Sequence, residues 1–327
     1  MNLAEKIKQA GIIGAGGAGF PTHAKLSSNV ECVIVNGAEC EPLLRVDQEL
    51  SVLYAKELVS ALNALKEYLG AKRAVYALKG KYHKAIEAVG VEAAQFSDIE
   101  VALLPNVYPV GDEQVLVYEV LKRIVPEGGI PLAVGCVVVN AETLLNIYKA
   151  IFIDMPVTDK YITVTGAVNT PRTVLVPVGI SFAEVIAMCG GMTEADCCVI
   201  EGGPIMGSVI SSLASPVTKK TKGLVVLPHN HPLIAAKQRD LSSMMKVARS
   251  ACCHCMLCTE VCPRNLLGHS IHPDKIMRVA SYGDTCDANS TATEAFLCCE
   301  CGLCEMACVM SLQPWKLNRE LKSKFAK

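Results

Sequence analysis

Two stretches of this chain concentrate thiols at a fixed spacing. The first reads Cys252-Cys253-His254-Cys255-Met256-Leu257-Cys258-Thr259-Glu260-Val261-Cys262, and the second Cys298-Cys299-Glu300-Cys301-Gly302-Leu303-Cys304-Glu305-Met306-Ala307-Cys308. Each contains C-x2-C-x2-C-x3-C, and the second copy lies 46 residues after the first. That spacing suits a pair of [4Fe–4S] clusters, in which three closely spaced thiolates wrap one cubane and the fourth cysteine reaches the other. The crossed assignment puts Cys252, Cys255, Cys258 and Cys308 on one cluster, and Cys262, Cys298, Cys301 and Cys304 on the other. Cys253 and Cys299 fall out of register and are read as non-ligands. The competing reading is a pair of zinc sites, but zinc favours paired C-x2-C units feeding one tetrahedral centre, and two four-cysteine runs fit that less well. Pro263 follows the first run as the motif expects, whereas Val309 stands where the second proline would be.

A second candidate for chemistry is the glycine-dense segment Gly14-Ala15-Gly16-Gly17-Ala18-Gly19-Phe20-Pro21. Gly14, Gly16 and Gly19 formally satisfy G-x-G-x-x-G, yet a dinucleotide fingerprint needs a strand before it and a helix after it. Only Ile12-Ile13 precedes the loop, and Pro21 sits where the helix should run. The segment therefore reads either as a flexible turn or as a loop whose backbone closely approaches a flat or phosphorylated ligand. No nucleophile–base constellation is present, so no catalytic side chain is assigned. His229, His231, His269 and His272 read as structural or surface residues.

The elements that must position these groups fall into three segments. Strand–helix alternation begins with a strand over Val30–Val35, followed by a helix from about Asp47 to Leu69, strands at Ala74–Leu78 and Ile99–Leu104, and a strand at Gly135–Val139 that ends on Asn140. Alternation of this kind predicts an α/β sheet domain, with ligands at the carboxyl ends of its strands. Asp112 and Glu113 open a helix, where carboxylates complement the helix dipole. From Lys160 the pattern turns to short β-rich runs around Asn169-Thr170-Pro171, a hairpin signal, with one short helix over Phe182–Cys189. The last segment is helical, carries the cysteine runs, and ends in a basic tail, Lys316 to Lys327, read as solvated. The boundaries expected are 1–155, 156–228 and 235–327.

Four pieces coincide in order with a known plan. Gly14 to Thr22 and Asn36-Gly37-Ala38-Glu39-Cys40-Glu41-Pro42 resemble the flavin and nicotinamide site of the 51-kilodalton flavoprotein subunit of respiratory complex I. The segment from Tyr161 to Gly202-Gly203-Pro204-Ile205-Met206-Gly207 resembles the SLBB β-grasp domain, and the tandem cysteine runs complete the plan of the RnfC/PduS family. The resemblance implies a multidomain α/β fold with a flavin-binding domain, an SLBB domain and a helical two-[4Fe–4S] ferredoxin-like domain. It also implies FMN, two [4Fe–4S] clusters and NADH as cofactors. Carried over by position, Gly14, Gly16, Gly17, Gly19 and Lys25 line the flavin. Asn36, Glu39, Tyr108, Asp112, Glu113, Asn140 and Thr143 hold FMN, and Phe20 packs near the nicotinamide. A flavin accepts a hydride pair and releases single electrons, so the plan implies an NADH-dependent converter delivering electrons to a one-electron acceptor, with cobalamin foremost. The alternative is an electron-relay subunit that does not oxidise NADH alone. The implied partner is a redox protein or a corrinoid-binding enzyme such as a cobalamin adenosyltransferase.

Composition bounds these expectations. The chain is 327 residues long and 51% hydrophobic, enough for several cores. A net charge of -1 gives no electrostatic footprint for nucleic acid. No apolar run approaches the roughly 20 residues of a membrane span, so an integral membrane protein is not expected. The amino terminus opens on a polar helix rather than a secretory signal. Eight of the 17 cysteines lie in the two motifs and the others are scattered, which speaks against a disulfide framework. Clusters with reduced thiols imply a cytoplasmic setting, and the resemblance adds the interior of a bacterial microcompartment.

Overall fold

Val-Ile-Val and Val-Val-Val runs favour strands buried on both faces, the condition met in a parallel sheet covered by helices. They form β1, Cys32–Asn36, and β4, Cys136–Asn140, which flank one another in a computed structural model describing residues 2–26, 29–282 and 288–325. With β2, Arg73–Lys79, and β3, Ile99–Leu104, they make a four-stranded parallel sheet in the order β3-β2-β1-β4. The chain thus steps outward from β1 to β3 and then returns to the far side of β1. That reversal is the topological switch point, where a crevice opens at the strands' carboxyl ends. Asn36 and Asn140 terminate the two strands at this point and are register partners.

The single helix expected from Asp47 to Leu69 is two helices, Val46–Leu53 and Ala55–Tyr68. Tyr54 breaks the run with φ -126° and ψ 30°, and its hydroxyl meets that of Tyr161 at 2.8 Å. Apolar periodicity continues across the break, because Leu58, Leu62, Leu65 and Leu69 still bury one face, and so the pattern alone did not reveal it. The helix after Asp112 is Glu113–Leu121, and the helix after Asn140, Ala141–Tyr148, runs on into a π-helical turn, Lys149–Ile153.

A second sheet, ordered β6-β5-β9-β7-β8, is built from β5, Asp159–Gly166, β6, Arg172–Pro177, β7, Cys197–Glu201, β8, Ser208–Val209, and β9, Gly223–Pro228. β5 and β6 form the expected hairpin, and β5 pairs with β9 in parallel. One helix, Phe182–Met188, covers the sheet and starts at a capping box between Ser181 and Glu184. Its Phe182, Val185 and Ile186 pack with Ile162, Val164, Leu224 and Val226.

The chain divides into two compact units, one comprising Met1–Val125 and Ile130–Ile234 with both sheets, the other Pro126–Gly129 and Ala235–Lys327. In the second unit, helices Leu241–Ala251, Pro273–Tyr282 and Pro314–Phe325 bury Met244, Ala248, Ile276, Met277, Leu317 and Leu321. The tail expected to be solvated is therefore a core helix, with Lys322 and Lys324 on its outer turns and Leu317 and Leu321 inside. Its last two residues, Ala326 and Lys327, lie outside the described residues. No helix among those described is long and apolar enough to cross a membrane.

Candidate functional site

The two cysteine runs adopt one repeated backbone. His254 and Met256 have φ 56° and 62°, and their counterparts Glu300 and Gly302 have φ 58° and 77°. Left-handed residues at equivalent positions turn each run around a centre, after which the short helices Leu257–Glu260 and Leu303–Met306 begin. Cys252, Cys255, Cys258 and Cys308 line one pocket with Met256, Met310 and Asp274. The fourth cysteine of the second run thus joins the first three of the first run. In the other group, burial raises the Cys304 thiol, and neighbouring Cys298 and Cys262 raise it further. The two groups adjoin through Cys258 and Cys304, which are buried together with Trp315.

Backbone donors point at these sulfurs. The Glu300 N–H donates to Cys298 Sγ and the Leu312 N–H to Cys308 Sγ, both at 3.4 Å. Burial pushes the Cys258 and Cys298 thiols up to about 12 and also raises Cys262, so metal loading must displace protons that burial retains. The donor set is all thiol, doubled and arranged around a cavity, which fits iron–sulfur better than zinc. Cys253 is exposed at the rim of the first pocket, while Cys299 is hydrogen-bonded to Cys301 and raises its thiol. Asp274 accepts from Thr259 Oγ1 at 2.6 Å and pairs with Arg278 at 2.9 Å, and Arg278 also meets His254 at 3.1 Å.

In the other unit the glycine loop closes on itself: Gly14 donates to the Phe20 carbonyl at 2.8 Å, and Ile13 bridges Pro21. The 3-10 turn Thr22–Leu26 follows in place of a long helix, so the Rossmann fingerprint stays formal. The loop lies over the switch point. Ala15 donates to Thr143 Oγ1 at 2.9 Å, and a Cβ on Gly16 would meet the Asn140 amide at 2.8 Å. Gly17, with φ +109°, faces open space. The Asn140 side chain and the N–H groups of Gly16, Gly17 and Ala18 have no hydrogen-bond partner among the described residues. An open face, uncommitted loop amides and a free carboxamide at a strand end fit a flavin and its phosphate.

Other expected residues are already engaged. Lys25 pairs with Glu113 at 2.6 Å beneath Phe20, so these three come together at the loop. The Asn36 amide donates to the Gly111 carbonyl at 2.9 Å and accepts from the Ala38 N–H at 3.1 Å, which fixes the strand end. Asp112 caps its helix, accepting from Gln114 and Val115. Tyr108 is half-buried before a cis bond to Pro109. Glu39 faces inward. It accepts from the Asp47 N–H and lies 3.4 Å from Lys222, which also pairs with Asp47. Two buried carboxylates share that one ammonium, and burial raises Glu39 to about 7. Sequence reasoning missed Asp47, Lys222 and Trp315. A basic run, Lys219-Lys220-Thr221-Lys222, was the only signal for Lys222, and a lone tryptophan the only signal for Trp315.

Three parts of the chain match known families. The family model described as the Nuo51 FMN-binding domain matches residues 7–149, that of the SLBB domain residues 161–208, and that of the 4Fe-4S dicluster domain residues 251–313. Cobalamin reductase PduS of Citrobacter freundii is 42% identical over 98% of this chain and 70% of its own length. The protein of the same name from Salmonella typhimurium is 43% identical over the same shares. The RnfC-type component of the Na(+)-translocating ferredoxin:NAD(+) oxidoreductase complex of Acetobacterium woodii is 33% identical over 88% of this chain and 63% of its own length. A crystal structure of an NAD+-reducing [NiFe]-hydrogenase matches the fold with TM-score 0.61 at 20% identity, covering 99% of this chain and 61% of the other. The chain is a flavin and iron–sulfur electron-transfer oxidoreductase with FMN and [4Fe–4S] clusters as cofactors. It belongs to the RnfC/PduS family.

Proposed function

We propose that this protein oxidises NADH and delivers single electrons to cobalamin. The observation that carries this reading is the 42–43% identity, over 98% of the chain, to proteins named cobalamin reductase. FMN supplies exchange between a two-electron donor and one-electron acceptors. The chain's own residues bind and orient. Gly14, Gly16, Gly17 and Gly19 let backbone approach the flavin, and Asn140 and Thr143 hold it at the end of β4. Lys25, Glu113 and Phe20 border the loop, with Phe20 toward the nicotinamide. Asn36, Glu39, Tyr108 and Asp112 shape the floor from behind. Cys252, Cys255, Cys258 and Cys308 hold one cluster and Cys262, Cys298, Cys301 and Cys304 the other, a crossed set supported by the shared pocket of the first four. Residues 1–155, 156–228 and 235–327 are assigned as flavin, SLBB and dicluster domains. The acceptor is presented by a redox protein or a corrinoid-binding enzyme such as an adenosyltransferase, in the cytoplasm or within a microcompartment.

A second reading, a relay component, is favoured by the similarity to RnfC-type members of ion-translocating complexes. Steady-state oxidation of NADH by the anaerobically purified chain with an artificial acceptor separates the two. Turnover supports the reductase. Its absence, in protein holding FMN and iron, supports the relay.

A further inference from the structure

The loop between β8 and β9 sends three lysines toward the flavin-binding sheet. Lys219 donates to the Gly11 carbonyl at 2.7 Å, at the root of the glycine loop. Lys222 is buried against Asp47 and Glu39. A turn joins these two anchors: Thr218 Oγ1 accepts from the Lys220 N–H and also meets Thr221 Oγ1, each at 3.2 Å, which fixes the backbone between them. Lys220 itself lies along the glycine loop: a Cβ on Gly19 would sit 2.6 Å from its Cε and 3.1 Å from its Cδ. Its ammonium has no hydrogen-bond or ion-pair partner among the described residues. The other cation of the loop, Lys25, is neutralised by Glu113. The result is an uncompensated positive charge beside uncommitted backbone N–H groups of the glycine loop, Gly16 to Ala18. Amides in a nest with a neighbouring ammonium make an anion site, and the anion such a glycine loop accepts is a phosphate.

Building on the flavin reading of this loop, we propose that Lys220, contributed by the SLBB-type module, binds a phosphate group of the nucleotide seated there. The shared chemistry is a phosphate ester, carried by FMN and by the pyrophosphate of a nicotinamide dinucleotide. Full-length protein stripped of flavin is titrated with FMN and with riboflavin by flavin fluorescence, and the FMN-loaded protein with NAD+ by calorimetry. In Lys220→Ala, affinity for one phosphate-bearing ligand should fall about tenfold, as for loss of one charge-assisted hydrogen bond. Riboflavin affinity should stay constant, and Lys220→Arg should restore most of the loss. A fall in FMN affinity assigns the flavin phosphate, and a fall in NAD+ affinity alone assigns the dinucleotide. Unchanged affinity for both overturns the proposal while leaving the flavin site intact. Wild-type protein that binds neither FMN nor NAD+ overturns the flavin site and the proposal together. Lys220 is exposed, so the substitution leaves the fold undisturbed.

Discussion

His254, Met256 and Glu300 hold left-handed backbone without being glycine, a conformation that costs on the order of 1 kcal/mol per residue. Such strain persists where the surroundings over-determine it, and here it turns each cysteine run back on itself. Cys253 is exposed at the pocket rim whereas Cys304 is buried, which gives the thiols unequal value. Cys304→Ser should remove one cluster, lowering iron and sulfide from about eight to about four per chain. Cys253→Ser, at the exposed rim, should leave both at the wild-type level. Iron and sulfide analysis of anaerobically purified variants checks this, and stoichiometric zinc without visible charge-transfer absorbance in the parent protein would refute the iron–sulfur assignment. At the other site Gly17 combines φ +109° with open space where a side chain would point. Gly17→Val strains the backbone and fills the face left for the flavin, so FMN should be lost during gel filtration while the clusters are retained. Equal flavin retention by the variant would remove the loop from the binding site.

The elements decide which of the expected residues are free to bind. β1 and β4 were legible because valine runs bounded by polar residues announce buried parallel strands, and with them Asn36 and Asn140 were found at the switch point. Their different fates were not legible. Asn36 is consumed by the turn at Gly111, and Asn140 is not, because the contacts come from loops distant in sequence. β8, two residues long, carries too little pattern to announce itself, and the break at Tyr54 hides under continuous periodicity. The group Glu39, Asp47 and Lys222 was invisible for the same reason. Its ammonium comes from the turn before β9, 175 residues beyond Asp47, and joins the two sheets through one buried charge. Its pH behaviour follows from burial. The Glu39 pKa rises from 4.5 to about 7, so the native state holds a proton that the unfolded chain releases across that interval. The stabilising contribution is present below pH 4.5 and is lost as pH rises through about 7. The thermal midpoint at which FMN is released should therefore decline between about pH 5 and pH 8 in the wild type, and Glu39→Gln should flatten that decline. Parallel curves for the two proteins would place the titration elsewhere.

Across the whole molecule, the proposed function makes a loop near one end of the chain and cysteines near the other serve a single electron route, and the route can be cut at one end without touching the other. The residues proposed to bind flavin lie between Gly14 and Thr143 and the proposed cluster cysteines between Cys252 and Cys308, in separate compact units. Replacing Cys258 and Cys304 by serine alters the two thiols that are buried together with Trp315, one in each cluster group. Because each unit has its own core, the first should still fold and hold FMN. In stopped-flow absorbance the double variant should show flavin bleaching by NADH at close to the wild-type rate. It should then show no later phase with an acceptor that cannot reach the flavin, such as a protein-bound corrinoid. The wild type should show both phases in that order. If instead the wild type shows no bleaching with NADH or NADPH, yet its clusters are reduced by a low-potential ferredoxin or flavodoxin, the isolated chain is not an NADH oxidase, and the relay reading replaces the reductase.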